Sequence, residues 1–273
     1  MMGPSHALSG AAVWLAGCWV AKEAFNYGQS ATTIAIGAAV CAGGALLPDL
    51  DMSGKVTKNK GGSTVSRSFG VFSLFLAEVI EKVSLGVYHA TKLSHDPDRD
   101  NGHRTLTHTI PFCLLTGFGA TWLATAYGRW AVLGILFFTF GLALRGLFHE
   151  WAKRVGWLFI TILSAGAAWF GYTYLPTIDR GYPMIGVAVG VGCFVHLMGD
   201  IITRAGVPIL WPIPTGKRMW RMIGLPNRIS IEAGSKIETR VLSVAFTLVS
   251  LVAGAGLLTP ALLDRLREAK IIA

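Results

Sequence analysis

Charge is what this chain has least of. Asp, Glu, Lys and Arg make up 14% of its 273 residues, against about 25% in an ordinary soluble domain. Four stretches, 109–127, 155–178, 181–199 and 241–263, carry none of the four residue types. Each is near the roughly 20 residues that cross a bilayer core. With a mean hydropathy of +0.53, this scarcity excludes a soluble enzyme domain and points to a membrane protein. Paired cysteine is lacking too. Cys18, Cys41, Cys113 and Cys193 all sit inside apolar runs with no CxxC spacing. They read as small buried hydrophobes, which excludes a thiolate metal site. There is no Walker or dinucleotide fingerprint and no internal repeat, and His149-Glu150 lacks the second histidine of HExxH.

The first apolar run has no basic segment ahead of it, so it reads as a retained helix rather than a cleaved leader. Negative charge is scarcer than positive: 15 Asp and Glu stand against 24 Lys and Arg, a net charge of +9. In a soluble protein that balance suggests nucleic acid. Here the cations cluster in loops, so topology explains them and no nucleic-acid partner is expected.

Seven spans are expected, at 7–22, 31–47, 109–127, 130–148, 155–178, 182–203 and 241–260. Segment 69–93 begins FGVFSLFLA but carries Glu78, Glu81, Lys82 and Lys92, the pattern of an amphipathic helix at the membrane surface. With that segment not crossing, His6, Asp49/Asp51, His103/His108 and His196/Asp200 all arrive at one membrane face. The same face receives 17 of the 24 cations. The positive-inside rule makes it cytoplasmic, with the N-terminus inside. Residues 52–68 read as a mobile Gly/Ser/Lys-rich loop. Residues 204–240 read as a basic, proline-containing segment with Trp211 and Trp220 at headgroup level.

The chemistry gathers at that face. His196 and Asp200 are four residues apart, on one helix face. An ionisable pair at the edge of a span is expensive and is read as functional. Pro48 biases the residue before it toward extended backbone, and if residues 49–51 are extended as well, Asp49 and Asp51 point the same way. His103 and His108 bracket Arg104, Thr105 and Thr107 just ahead of a span. Mixed imidazole and carboxylate ligands suit Zn²⁺, Mn²⁺ or Fe²⁺. The seven candidates His6, Asp49, Asp51, His103, His108, His196 and Asp200 exceed the three or four that one zinc takes from protein. They suit two ions, or one ion with outer carboxylates orienting the histidines. Arg104 is a candidate to bind phosphate. His89, His95 and His149 read as surface or structural.

The segments SHALSG, LLPDLDMSG, NGHRTLTHT and HLMGDIITRAGVPILWP, in this order, resemble the LexA-binding, inner membrane-associated family of metal-dependent hydrolases. The resemblance spans most of residues 1–235 and leaves the last span outside it. It implies metal roles for the seven residues above. The chain departs from the pattern at Met52, where many members have His, and at Thr105, where they often have Gly. A more distant likeness, in ligand types and order alone, is to zinc-dependent phospholipase C and the S1/P1 nucleases.

The expectation is therefore an all-α integral membrane protein of about seven transmembrane helices plus an interfacial amphipathic helix. It forms one domain over 1–273, with core motifs in 1–235 and an extra span at 241–260. The expected function is hydrolysis of a phosphoester, lipid-borne by location, with membrane lipids as partners and one or two divalent ions, zinc first. Asp49 or Asp51, whichever is not a metal ligand, is the expected general base and Arg104 the group that stabilises charge. The rival expectation is a non-enzymatic metal-binding scaffold or sensor. A metal transporter ranks last, because the spans hold almost no polar residue at mid-depth beyond Arg145.

Overall fold

The computed structural model describes residues 1–53, 68–175 and 181–268, with side chains to 259. The loop expected at 52–68 falls, apart from its ends, outside the described residues. So do Arg180, Lys270 and four cations assigned to the histidine-bearing face, Lys55, Lys58, Lys60 and Arg67.

The chain is helical. Among the described residues eight α-helices run in order: α1 (Gly3–Phe25), α2 (Ala31–Gly44), α3 (Val71–Thr91), α4 (Ile110–Tyr127), α5 (Arg129–Leu147), α6 (His149–Tyr174), α7 (Gly181–Ile201) and α8 (Ser243–Glu268). Short 3₁₀ turns lie at Pro48–Asp51 and Leu106–His108, and a π-helical turn at Ile237–Leu242 leads into α8. Among the described residues there is no sheet, only three isolated bridges. Among the described residues six segments are long and apolar enough to cross a membrane: 31–51, 110–127, 129–147, 149–174, 181–201 and 237–259. The remaining expected span is α1, 23 residues long, which packs against α2, α5, α7 and α8.

The middle of the bundle is α2, in contact with α1, α5 and α7. Its sequence, ATTIAIGAAVCAGG, is almost all small residues, which lets helix backbones approach closely where lipid supplies no hydrophobic drive. A Cβ on Gly10 of α1 falls 2.7 Å from the Cys41 carbonyl oxygen, and one on Gly44 falls 2.9 Å from that of Val189 in α7. Neither position accepts a side chain without moving a helix. The centre of the site rests on these crossings.

α3 behaves as the amphipathic pattern requires, with its faces reversed relative to a soluble helix. Ser73, Ala77, Glu81, Ser84 and Tyr88 are buried, while Val71, Phe72, Phe75, Val79 and Val83 are exposed. Its start is anchored inside the bundle, where Phe69 packs on Phe137 and Phe138 of α5. Its second half covers the loops that carry the site. Glu81, expected on a solvated face, is buried there and accepts the Gly102 N–H at 2.8 Å. Trp220, expected among headgroups, is buried and donates to Thr91 Oγ1. Inside α6 the backbone breaks at Gly156 (φ 82°, ψ 169°). The Ala152 carbonyl, one turn earlier, accepts from Nη1 of the buried Arg145 guanidinium at 3.1 Å, which gives that carbonyl a partner where water is scarce.

The extended backbone suggested for residues 49–51 is not found. Pro48–Asp51 is a 3₁₀ turn with proline at its start, where a missing N–H costs nothing and the fixed φ already suits a helical turn. Three residues per turn send Asp49 and Asp51 in different directions, and the two carboxylates take different partners.

Candidate metal centre

Four elements meet at one end of the bundle. α1 brings His6, the 3₁₀ turn after α2 brings Asp49 and Asp51, and the loop before α4 brings His103, Arg104 and His108. The last turns of α7 bring His196 and Asp200. All seven candidate ligands are within this one cluster. His6, Asp51, His108, His196 and Asp200 are buried, and Asp49 and His103 are partly open.

Hydrogen bonds fix the state of the central histidines. His196 Nδ1 lies 2.7 Å from the Ala45 carbonyl oxygen. A carbonyl only accepts, so Nδ1 carries the proton and, in the neutral ring, Nε2 carries a lone pair. Thr107 Oγ1 donates to Asp51 Oδ2 at 2.6 Å and lies 2.9 Å from His108 Nδ1. With its proton committed to the carboxylate, the hydroxyl accepts from His108 Nδ1–H. His108 Nε2 therefore also carries a lone pair.

These two lone-pair nitrogens are 3.2 Å apart. Asp49 Oδ1 lies 3.7 Å from His196 Nε2 and 3.8 Å from His108 Nε2. Asp200 Oδ2 lies 3.9 Å and 3.7 Å from the same two atoms. Each of the two carboxylate oxygens thus lies within 4 Å of both lone-pair nitrogens. Bonds of about 2.0–2.1 Å to a tetrahedral zinc place ligand atoms about 3.3–3.4 Å apart, close to the observed separations. The donor set fits a divalent metal.

A second group adjoins the first. His6 stacks on His196 with ring centroids 3.7 Å apart, and its Nε2 is 3.3 Å from Asp200 Oδ1. Neither ring nitrogen of this buried histidine makes a hydrogen bond of good geometry, a costly arrangement unless a cation takes up a lone pair. Two triads, His6/His196/Asp200 and Asp49/His103/His108, each hold their ligand atoms within 4.8 Å of one another. Gly199 makes the stacking possible: a Cβ there falls 3.0 Å from His6 Cε1.

Asp51 is spent on orientation. Its carboxylate takes His103 Nδ1 at 2.7 Å, the Arg104 backbone N–H at 3.1 Å and the Thr107 hydroxyl. This is the carboxylate–histidine pairing that sets tautomer and ring direction beside metals. Burial pushes the His103 imidazole down, but the Asp51 charge and hydrogen bond outweigh it and hold the ring above its ordinary value. Arg104 adopts a left-handed backbone (φ 58°) and reaches Asp200 Oδ2 at 2.9 Å. The Met1 amine is 2.5 Å from the other oxygen of that carboxylate.

Asp49, His103 and Arg104 also line a cavity of about 720 Å³. Its other walls come from residues 1–5, from 233–243, and from His149, Glu150 and Lys153 at the start of α6. The sequence had left His149 as surface or structural, with no local motif to mark it. Two further contributors were missed. Glu238 accepts the backbone N–H groups of Met2 and Gly234 and so pins the start of α1. Thr107 fixes the His108 tautomer, and its place beside His108 in HRTLTH was the available signal.

Helix lengths, apolar surfaces and this buried His/Asp cluster define a multi-pass inner-membrane protein with groups positioned to hold a metal. The chain belongs to the YdjM inner membrane protein family, whose family model matches residues 1–152 and 156–258. Comparison with curated proteins and with solved structures gives no match.

Proposed function

We propose that this chain is a membrane-bound metal-dependent hydrolase whose substrate is a phosphoester, most naturally a lipid-borne one. The observation that carries this reading is the pair of imidazole lone pairs facing each other at 3.2 Å between two carboxylates, beside a cavity whose mixed lining includes Asp49, His103 and Arg104. His108, His196, Asp49 and Asp200 would hold the first ion, and His6 and His103 extend the set toward a second. Zinc suits this mixture best, with manganese or iron(II) as alternatives. When bound, a divalent ion supplies Lewis acidity, lowering the pKa of water and polarising a phosphoryl oxygen.

The remaining roles belong to the protein. Asp51 positions His103 and His108 and has no oxygen to spare for proton transfer. Asp49 also lines the cavity, and with Oδ1 turned to the ion its second carboxylate oxygen is the better candidate to take a proton from the attacking water. Arg104 sits at the cavity edge, where a guanidinium can pair with phosphate oxygens. Lys153, paired with Glu150, adds a second cation to the lining. The charge distribution assigns the face that bears these residues to the cytoplasm and the span ends put them near headgroup depth, which favours a lipid-borne substrate. The hydrolase part of the sequence resemblance agrees with this reading. The link to LexA belongs to gene control and has no counterpart in these residues.

One observation favours the rival, a non-enzymatic metal-binding scaffold or sensor. Only Asp49 and His103 of the seven ligand candidates line the cavity, and the rest are enclosed. Two measurements decide. Metal content by mass spectrometry on the detergent-purified protein should give about one or two equivalents of zinc or manganese, lost in the Asp49→Ala/His196→Ala double variant. A screen of phosphodiesters and phospholipids should then give metal-dependent turnover that Asp49→Asn removes. Bound metal without turnover across the screen supports the scaffold, and no metal after reconstitution overturns both readings.

A further inference from the structure

Away from the metal centre, the segment after α7 builds a second polar pocket. Thr215–Arg218 closes a tight hairpin, with Thr215 N–H donating to the Arg218 carbonyl at 2.8 Å and Gly216 at positive φ. Asp96 locks the hairpin in place. Its buried carboxylate accepts the backbone N–H groups of Met219 and Trp220, each at 3.0 Å, and that of Leu93 at 2.8 Å. The same anchor sets His95, the neighbour of Asp96, against the hairpin. The result is a cavity of about 370 Å³ lined by His95, Thr215, Lys217, Arg218 and Arg221.

Three features mark this cavity as an anion site. Its charged lining is entirely cationic. Among the described residues, no ion pair engages Lys217, Arg218 or Arg221, although Arg204 in the same segment has Glu232. The Thr215 hydroxyl, on a residue of the cavity wall, is enclosed without a hydrogen-bond partner, a polar group already desolvated. The pocket is also held by a fixed hairpin, so little ordering cost attends binding.

We propose that this pocket binds the phosphate of an anionic phospholipid on the membrane face that carries the metal centre. Lipid is favoured over free phosphate by the apolar residues beside it. Ile213, two residues from Thr215, is 63% exposed, and Leu210 is exposed as well. Cations beside exposed apolar side chains are the signature of a segment seated in an anionic leaflet. The pocket also has a path to the site. Arg221 adjoins Met222, whose sulfur takes an Arg99 N–H, and Arg99 holds the His103 carbonyl at 2.9 Å.

The test uses the full-length protein in neutral detergent, titrated with phosphatidylglycerol or phosphatidylcholine and read by native mass spectrometry. Wild type retains phosphatidylglycerol in preference to phosphatidylcholine. The Lys217→Gln/Arg218→Gln/Arg221→Gln variant binds it about a hundredfold more weakly, at roughly fivefold per cation removed. A charge-matched control, Arg204→Gln/Arg228→Gln/Arg240→Gln, keeps wild-type binding. If the triple variant loses its melting transition, Lys217→Gln alone, at an exposed hairpin corner, is read for its fivefold loss. Equal binding by wild type and pocket variant overturns the proposal, as does an equal loss in the control. Displacement of phosphatidylglycerol by inorganic phosphate alone overturns the lipid assignment.

Discussion

His108 Nε2 and His196 Nε2 stand 3.2 Å apart, each bearing a lone pair because the opposite ring nitrogen donates to a fixed oxygen. Two imidazoles meet in this way when a proton is shared between them or a metal ion is bound by both. The pair is held by Ala45 on one side and by Thr107 with Asp51 on the other, so the arrangement belongs to the fold and not to two mobile side chains.

Replacing Asp51 with Asn tests the orienting role. The ring directions of His103 and His108 lose their charged anchor while the nearest ligand atoms remain. Metal affinity should fall about ten- to hundredfold without vanishing, measured by competition with a chromogenic chelator. Complete loss would make Asp51 a direct ligand, and no change would remove it from the site.

Gly199→Ala places a methyl group 3.0 Å from His6 Cε1. The ring has to give by a few tenths of an ångström against His196, and the Met1 sulfur, 2.8 Å away, has to move as well. Metal stoichiometry should drop by the share that His6 supports, with the helical circular dichroism spectrum retained. Unchanged stoichiometry would show that His6 binds no ion.

Metal binding should weaken on acidification. In the metal-free protein the Asp51 carboxylate holds a proton on His103 to higher pH than a free imidazole would, and a metal has to displace that proton. Affinity therefore rises with pH through the raised His103 value, and Asp51→Asn moves the midpoint to lower pH. The stability contribution of the His103–Asp51 pair runs the other way. It is full below the ordinary imidazole value of 6.5 and fades as pH rises through the raised one. Chelator-competition titrations and thermal melts across this range, on wild type and Asp51→Asn, check both signs.

Arg104→Lys keeps a cation but loses the planar fork that reaches Asp200 Oδ2 and the Gly206 carbonyl. On the hydrolase reading, turnover should fall about a hundredfold, the scale of one lost charge-stabilising donor, with metal content unchanged. Steady-state kinetics on a responsive phosphodiester measures this. Wild-type turnover would exclude Arg104 from the chemistry.

Much of the membrane architecture was legible in the chain. Charge-free runs near the bilayer length marked the spans to within a few residues, and the scarcity of thiols and soluble-enzyme motifs narrowed the chemistry to His and Asp. The parity of the spans, with α3 left uncrossed, brought four ligand clusters to one face. That argument needed no knowledge of side-chain contacts, because a bilayer allows a helix only two ends.

What the chain did not reveal is how those clusters divide the work. Spacing places a residue on a face of its own helix, as with His196 and Asp200. It carries no information on distance to another element. Pro48–Asp51 as a helical turn separated the roles of Asp49 and Asp51. The Ala45 carbonyl and the Thr107 hydroxyl selected the histidine tautomers. Glu81, which resembles any solvated glutamate in sequence, became a buried brace for Gly102, and His149 joined the cavity wall. Local sequence determined which residues reach the membrane face. Packing across the small-residue helix α2 decided which atoms point at one another there, because only that packing sets distances between elements far apart in the chain.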